Sequence, residues 1–390
     1  MSGDSGSGTS AVAYRGLTAR SKLELRSWLS QGTAEAALEP DLAIIDAHHH
    51  LWDRPRSSTS TDASESYLVE DLLDDAVGSG HRVIATVAIE CGARYRPDGP
   101  AHLAPAGEVG FLRALGEGAV AGKRGNCRVA EAVIGYADLT LGARVGELLD
   151  AEIAVGGGRL KGIRQGMPHS GYPELDRFLA NSARPHLALD PTFREGFSQL
   201  APLGLSFDAW QYHSQLADLL SLARGFPDTS IILDHAGTPL GVGPYADRRG
   251  QTLQSWRSGI AMLATCPNVT VKLGGLGMTL CGFRWHELRR PPSSTELAAM
   301  WRPYIESCIG AFGPDRCMFE SNFPPDKQSC GYGQLWNAFK IITAGASDAE
   351  KRQLYSGTAA RVYGISDLDE MAKPVDAPRE RSGAPASDHA

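Results

Sequence analysis

A single-domain (β/α)8 barrel is the fold that this sequence predicts, on three observations. Eight short apolar runs are rich in β-branched residues, eight segments of helical period lie between and after them, and the alternation occupies roughly 320 residues. The runs read as strands at 43–48, 83–90, 129–136, 160–164, 205–209, 230–235, 269–273 and 317–321. The helical segments, apolar at i, i+3 and i+4, fall at 68–77, 109–115, 145–153, 193–200, 216–224, 256–263, 297–309 and 335–342.

Local chemistry supports several of these boundaries. Asp190-Pro191 reads as an N-cap followed by a first-turn proline, and Ser293 to Glu296 and Ser347 to Glu350 both have capping-box spacing. A doubly wound open sheet is the competing arrangement for the same alternation. Gly156-Gly157-Gly158 precedes a strand instead of following one, so it is not a phosphate loop, and no nucleotide cofactor is expected. The barrel is expected over 41–366. Residues 1–40 read as a flexible N-terminal extension with one short helix over Lys22–Leu29, and 367–390, rich in Pro, Ser, Ala and charge, as a disordered C-terminal tail.

Composition narrows the function classes. The chain has 390 residues, 42% of them hydrophobic, enough for a large core, and a net charge of -7 with scattered basic residues. No basic stripe is present to track a phosphate backbone, so nucleic acid is not an expected partner. The Ser/Gly-rich start lacks the apolar core of a secretory signal, and no run reaches the ~20 apolar residues of a membrane span. The seven cysteines are odd in number and form no C-x-x-C pair, as reduced thiols of a cytoplasmic protein would be.

In a barrel the C-terminal ends of the strands converge on one face, so what each strand ends with carries the chemistry. Strand one ends in Asp46-Ala47-His48-His49-His50. Alternate strand residues point the same way, so His48 and His50 project together while His49 points elsewhere. Two imidazoles on one face can grip a divalent metal or polarise a carbonyl. Strand six adds Asp234-His235, strand four ends at Arg164, and strand five presents Asp208. Strand seven carries Lys272, and strand eight runs through Glu320-Ser321-Asn322-Phe323-Pro324-Pro325-Asp326. Arg164 suits substrate carboxylate or carbonyl binding, with Lys272 and Asp208 as further substrate-binding candidates. His213 reads as a surface or capping residue, and Trp52, Trp210 and Phe323 as packing.

These motifs resemble the amidohydrolase superfamily. The resemblance rests on Asp46 to Asp53 (Asp-Ala-His-His-His-Leu-Trp-Asp), Gly162-Ile163-Arg164, Asp234-His235-Ala236-Gly237, Val271 to Gly275 and Phe319 to Pro324. The branch they look like is the amidohydrolase-2 group of metal-dependent TIM-barrel hydrolases, which includes sugar lactonases and 2-pyrone-4,6-dicarboxylate lactonase. The resemblance implies that His48 and His50 bind a metal, with His235 beside it, and that a strand-eight aspartate activates water. This chain departs there: Asn322 stands where relatives carry the aspartate, and an amide cannot act as a general base. Asp208 stands where metal-dependent members carry a strand-five histidine.

Two mechanisms follow. In one, His48 and His50, with Glu320 or Asp326, hold a single divalent ion, zinc or manganese, that activates water. In the other, no metal is needed: the imidazoles and Arg164 stabilise the oxyanion while Glu320 or Asp326 serves as base. The catalytic set is thus His48, His50, His235, Arg164, Asn322 and Asp326. The expected function is a hydrolase opening a lactone or related cyclic ester, with a small carbonyl or carboxylate compound as substrate. The alternatives are a nonoxidative decarboxylase of an aromatic acid and a noncatalytic small-acid-binding barrel, both prompted by Asn322.

Overall fold

The structure, a computed structural model, describes residues 20–53, 66–119, 127–176, 178–179 and 182–366. The leader 1–19 and the tail 367–390, expected as flexible or disordered, lie outside the described residues. Eight strands follow the chain in order: β1 (Ile44–His49), β2 (Val83–Ile89), β3 (Arg128–Gly135), β4 (Leu160–Arg164), β5 (Ser206–Ala209), β6 (Ile231–Leu233), β7 (Val269–Leu273) and β8 (Cys317–Phe319). Each pairs in parallel with the next in a single sheet. β8 returns to β1 at its C-terminal end, where Asn322 N–H bonds the His48 carbonyl at 2.9 Å and His50 N–H bonds the Phe323 carbonyl at 2.8 Å. This is the (β/α)8 barrel and not the open sheet.

The helices are α1 (Lys22–Leu29), α2 (Val69–Gly78), α3 (Ala106–Gly118), α4 (Gly146–Gly156), α5 (Pro173–Asp176), α6 (Pro191–Phe197), α7 (Leu216–Gly225), α8 (Arg249–Ala264), α9 (Ser294–Phe312), α10 (Tyr332–Ile342), α11 (Asp348–Arg352) and α12 (Thr358–Tyr363). The start signals act as their chemistry requires. Asp190 accepts the Thr192 and Phe193 N–H groups, and Ser293/Glu296 and Ser347/Glu350 close reciprocal capping boxes. The glycine run ends α4, with Gly157 in the left-handed conformation at φ 57°. Among the described residues no helix is long and apolar enough to cross a membrane.

Two apolar layers hold the barrel. An outer layer joins strands to helices through residues such as Leu112, Leu149, Phe207, Trp256 and Leu335. The inner layer fills the lower barrel with Ile45, Val87, Ile134, Ile232 and Met318, and α12 closes it from beneath with Ala359 and Tyr363.

Residues 20–40, expected as a loosely attached extension, are instead stapled to the barrel. Trp28 is buried and donates its indole N–H to the Leu288 carbonyl at 2.9 Å. Asn337 on α10 bonds the Leu38 N–H and the Ala36 carbonyl, and Lys340 donates to the carbonyls of Leu38 and Glu39. The hydrophilic lead hid this docking, because the polar side chains of α10 that anchor it lie 299 to 302 positions away.

Candidate active site

Strand β1 shifts register between Asp46 and His49, and that shift sorts its side chains. Asp46 leaves the site: its carboxylate accepts the Ser321 N–H at 2.8 Å and the Tyr332 hydroxyl from α10 at 3.0 Å. His48 and His50 meet inside, their Nε2 atoms 3.2 Å apart. His49 turns the other way and bonds Thr86 Oγ1 at 2.8 Å. All three imidazoles are buried, and burial first, then neighbouring cationic groups, holds them in the neutral form, His48 down at about 4 and His49 at about 3.

Around His48 lies a closed layer of charge. Arg164 donates Nε–H to Glu90 Oε1 at 2.7 Å and Nη2–H to the Glu90 carbonyl at 2.6 Å, and its Nη1 stands 3.4 Å from His48 Nε2. On the other side of the ring, Lys272 Nζ sits 3.2 Å from His48 Nδ1, 2.5 Å from Asp208 and 3.1 Å from Asp234. Glu320 bridges two imidazoles, at 2.8 Å from His235 Nδ1 and 3.1 Å from His48 Nδ1. Tyr363 reaches up from α12 and donates its hydroxyl to Asp208 at 3.0 Å.

Lys272 and Asp208, expected to bind substrate, therefore lie between the floor and His48, fully buried and turned on each other. They meet the Tyr363 hydroxyl below and the His48 ring above. Sequence reasoning gave no role to Glu90, Asp234 or Tyr363. Glu90 could have been found as the polar residue closing an apolar run, and Asp234 as the neighbour of His235; nothing local marks Tyr363.

Asn322 and Asp326 form a pair beside His235. Asn322 Nδ2 donates to Asp326 Oδ1 at 2.8 Å, and the Gly277 N–H donates to Asp326 Oδ2 at 2.8 Å. Burial pushes the Asp326 carboxyl up to about 7, against the opposing pull of His235 and these two donors. Glu320 behaves oppositely: burial raises it, but His235 and His48 outweigh burial and hold it at about 2. A carboxyl poised near neutrality suits a general base, whereas one fixed as an anion between two imidazoles suits orientation and charge compensation.

The backbone gives way to these groups. A Cβ at Gly275 would lie 2.5 Å from the His235 ring, and one at Gly277 would lie 2.7 Å from the Asp326 carboxylate; Gly274 makes the same room for Glu320. His213 is buried and not at the surface. Its Nδ1 accepts the Leu240 N–H at 3.2 Å, tying the loop after β6 to the loop after β5.

A metal can be tested against these donors. His48, His235 and Glu320 offer ligand atoms within 4.8 Å of one another. His48 is neutral, as a ligand must be. Four buried carboxylates, Glu90, Asp208, Asp234 and Glu320, outnumber the two buried cations that face them, Arg164 and Lys272. Glu320 Oε2 and both Asp234 oxygens make ion pairs but no well-formed hydrogen bond. This set fits one divalent ion. It has His235 where the expected trio of His48, His50 and Glu320 has His50, whose Nε2 lies 3.2 Å from the Nε2 of His48.

A family model described as Amidohydrolase matches residues 45–365. The protein y4mH of Sinorhizobium fredii is 36% identical over 339 residues, covering 83% of this chain and 99% of that one. An L-fucono-1,5-lactonase of Burkholderia multivorans is 28% identical over 333 residues, covering 83% of this chain and 96% of its own. The crystal structure of an amidohydrolase from Burkholderia multivorans with bound zinc superimposes with a TM-score of 0.61 at 24% identity, over 83% of this chain and all of that one.

Proposed function

The chain belongs to the amidohydrolase family and is a hydrolytic enzyme, and from that premise we propose that it opens a lactone, a sugar lactone in the first instance, by attack of water on the ring carbonyl. The observation that carries this reading is the convergence of His48, His50, His235, Arg164 and Asp326 at the C-terminal ends of the strands. The relatedness to an L-fucono-1,5-lactonase over nearly its whole length supports the substrate class.

Each residue has a task in that reaction. Asp326, half-ionised near neutral pH and ionised above it, takes the proton of the attacking water. Its hydrogen bond from Asn322 orients it, so the asparagine positions a base instead of being one. Arg164 keeps N–H groups beyond those given to Glu90, and with His50 it faces the carbonyl oxygen as negative charge develops there. Glu320 fixes the orientation of the His235 ring. A divalent ion held by His48, His235 and Glu320 would polarise the carbonyl and acidify water.

The test is a panel of sugar lactones, L-fucono-1,5-lactone included, followed by proton release. The parent should open at least one, and His48→Ala with His50→Ala should abolish turnover. Release of carbon dioxide from an aromatic acid without any lactone opening would replace this reading with the lyase. Elemental analysis with and without chelator reports the ion, with about one equivalent expected and loss of turnover on its removal.

A further inference from the structure

The loop after β6 leaves the strand in a conformation that side chains resist. His235, Ala236, Gly237 and Thr238 follow one another at φ 55°, 49°, 71° and 44°. These four consecutive residues turn left-handed, and only one of them is glycine. For the others, Cβ crowds the following carbonyl, most of all in β-branched Thr238. Such a turn persists only when its surroundings over-determine it.

Beside the His213 N–H, which donates to the Thr238 carbonyl at 3.3 Å, four restraints act on its start and middle. The Thr238 N–H closes onto the His235 carbonyl at 2.8 Å. Glu320 Oε1 accepts both the His235 backbone N–H, at 3.2 Å, and its ring Nδ1–H, at 2.8 Å. The ring rests against Gly275, where no side chain could fit. The fourth restraint comes from outside the barrel: Trp256, on α8, donates its indole N–H to the Ala236 carbonyl at 2.6 Å. Trp256 is fully buried among outer-layer residues and has no path to a substrate.

We infer that Trp256 is a positioning residue for His235, holding the left-handed turn that aims this imidazole beside His48. The ring centroids of His48 and His235 are 4.5 Å apart. A right-handed relaxation at Ala236 would break the Thr238 N–H bond to the His235 carbonyl and leave the His235 peptide untethered on its C-terminal side. The indole bond is the restraint nearest the middle of the turn, and it is independent of the charged layer.

This inference rests on reading His235 as a site residue, and its test does not need the substrate. In protein labelled with ¹⁵N at the histidine rings, the His235 resonance is identified by its disappearance in His235→Asn. Trp256→Phe keeps an aromatic ring, of smaller volume, and loses the donor. It should shift and broaden the His235 resonance while those of His81 and His169 stay in place. With any lactone the parent opens, the same variant should lower kcat about tenfold and leave KM within about twofold. Ala236→Gly supplies the second arm. Glycine carries no penalty in the left-handed region, so Ala236→Gly alone should leave the His235 resonance in place with Tm held or raised, and added to Trp256→Phe it should move the resonance and kcat back toward the parent's. A purely structural role for the turn would move activity and Tm together. A His235 resonance in Trp256→Phe that superimposes on the parent's overturns the inference, whatever the substrate proves to be. A parent that opens no lactone removes the substrate reading and leaves this one to the spectra.

Discussion

The lower barrel is filled by Ile45, Val87, Ile134, Ile232 and Met318, closed by the ring of Tyr363. One step further along the same strands, the interior holds Glu90, Arg164, Asp208, Asp234, Lys272 and Glu320 packed around His48. The floor is stabilised by removal of apolar area from water, a non-directional effect that tolerates a neighbour of similar size. The charged layer gains little net stability, because each ion loses its hydration, and it holds only while every partner is present. The difference between the two layers teaches that the same strands can be forgiving at one level and unforgiving at the next.

The largest departure from floor behaviour is expected at Lys272. Lys272→Met keeps most of the volume but leaves Asp208 and Asp234 without their shared cation, and should cost about 3–5 kcal/mol in urea unfolding together with all turnover. Unfolding within 1 kcal/mol of the parent would show that the layer behaves like the floor.

Next in size is Asp326→Asn, which should lower kcat by about 10² to 10⁴ and abolish the acid limb of the rate profile, expected in the parent near pH 7. The stability sign is the opposite of the activity sign. The folded state raises this carboxyl from 3.8, so its favourable contribution is complete at acid pH and is lost as pH rises through about 7. The variant should therefore gain on the parent in stability above neutrality, as pH-dependent unfolding curves would report.

Tyr363→Phe probes the seam between the layers: it retains the ring in the floor and removes the hydroxyl from Asp208. A loss of about 1 kcal/mol in stability is expected, with kcat falling more than KM rises. The smallest effect belongs to Ile232→Val, about 0.5–1.5 kcal/mol in unfolding with kinetic constants unchanged. A kinetic effect there would mean that the floor also tunes the site.

The strands, the helices and their caps were legible in the sequence because they rest on period and on local capping chemistry. β4 and β7 match their expected bounds, while β6 and β8 are shorter than expected because the chain leaves regular strand geometry at Asp234 and Glu320. The convergence of His48, His50, Arg164 and His235 follows from the rule that strand ends face one side. What stayed hidden depends on a single register step or on distant partners. Asp46 was grouped with the histidines, and one register shift turns it to Tyr332. Lys272 and Asp208 looked like substrate ligands, because a sequence does not show that a lysine 64 positions from an aspartate lies 2.5 Å away from it. The left-handed turn announces itself only by Gly237 among residues that ordinarily avoid such a conformation.

The glycines at 274, 275 and 277 set where this enzyme can be redesigned. Because the backbone of that loop is itself the wall against which Glu320, His235 and Asp326 rest, its sequence is constrained by space and not by chemistry, and side-chain diversity introduced there would be spent on displacing the reactive groups. A library aimed at new substrates would do better in the loops after β4 and β6, where Tyr172 and Tyr245 meet edge to face and Tyr172 is exposed.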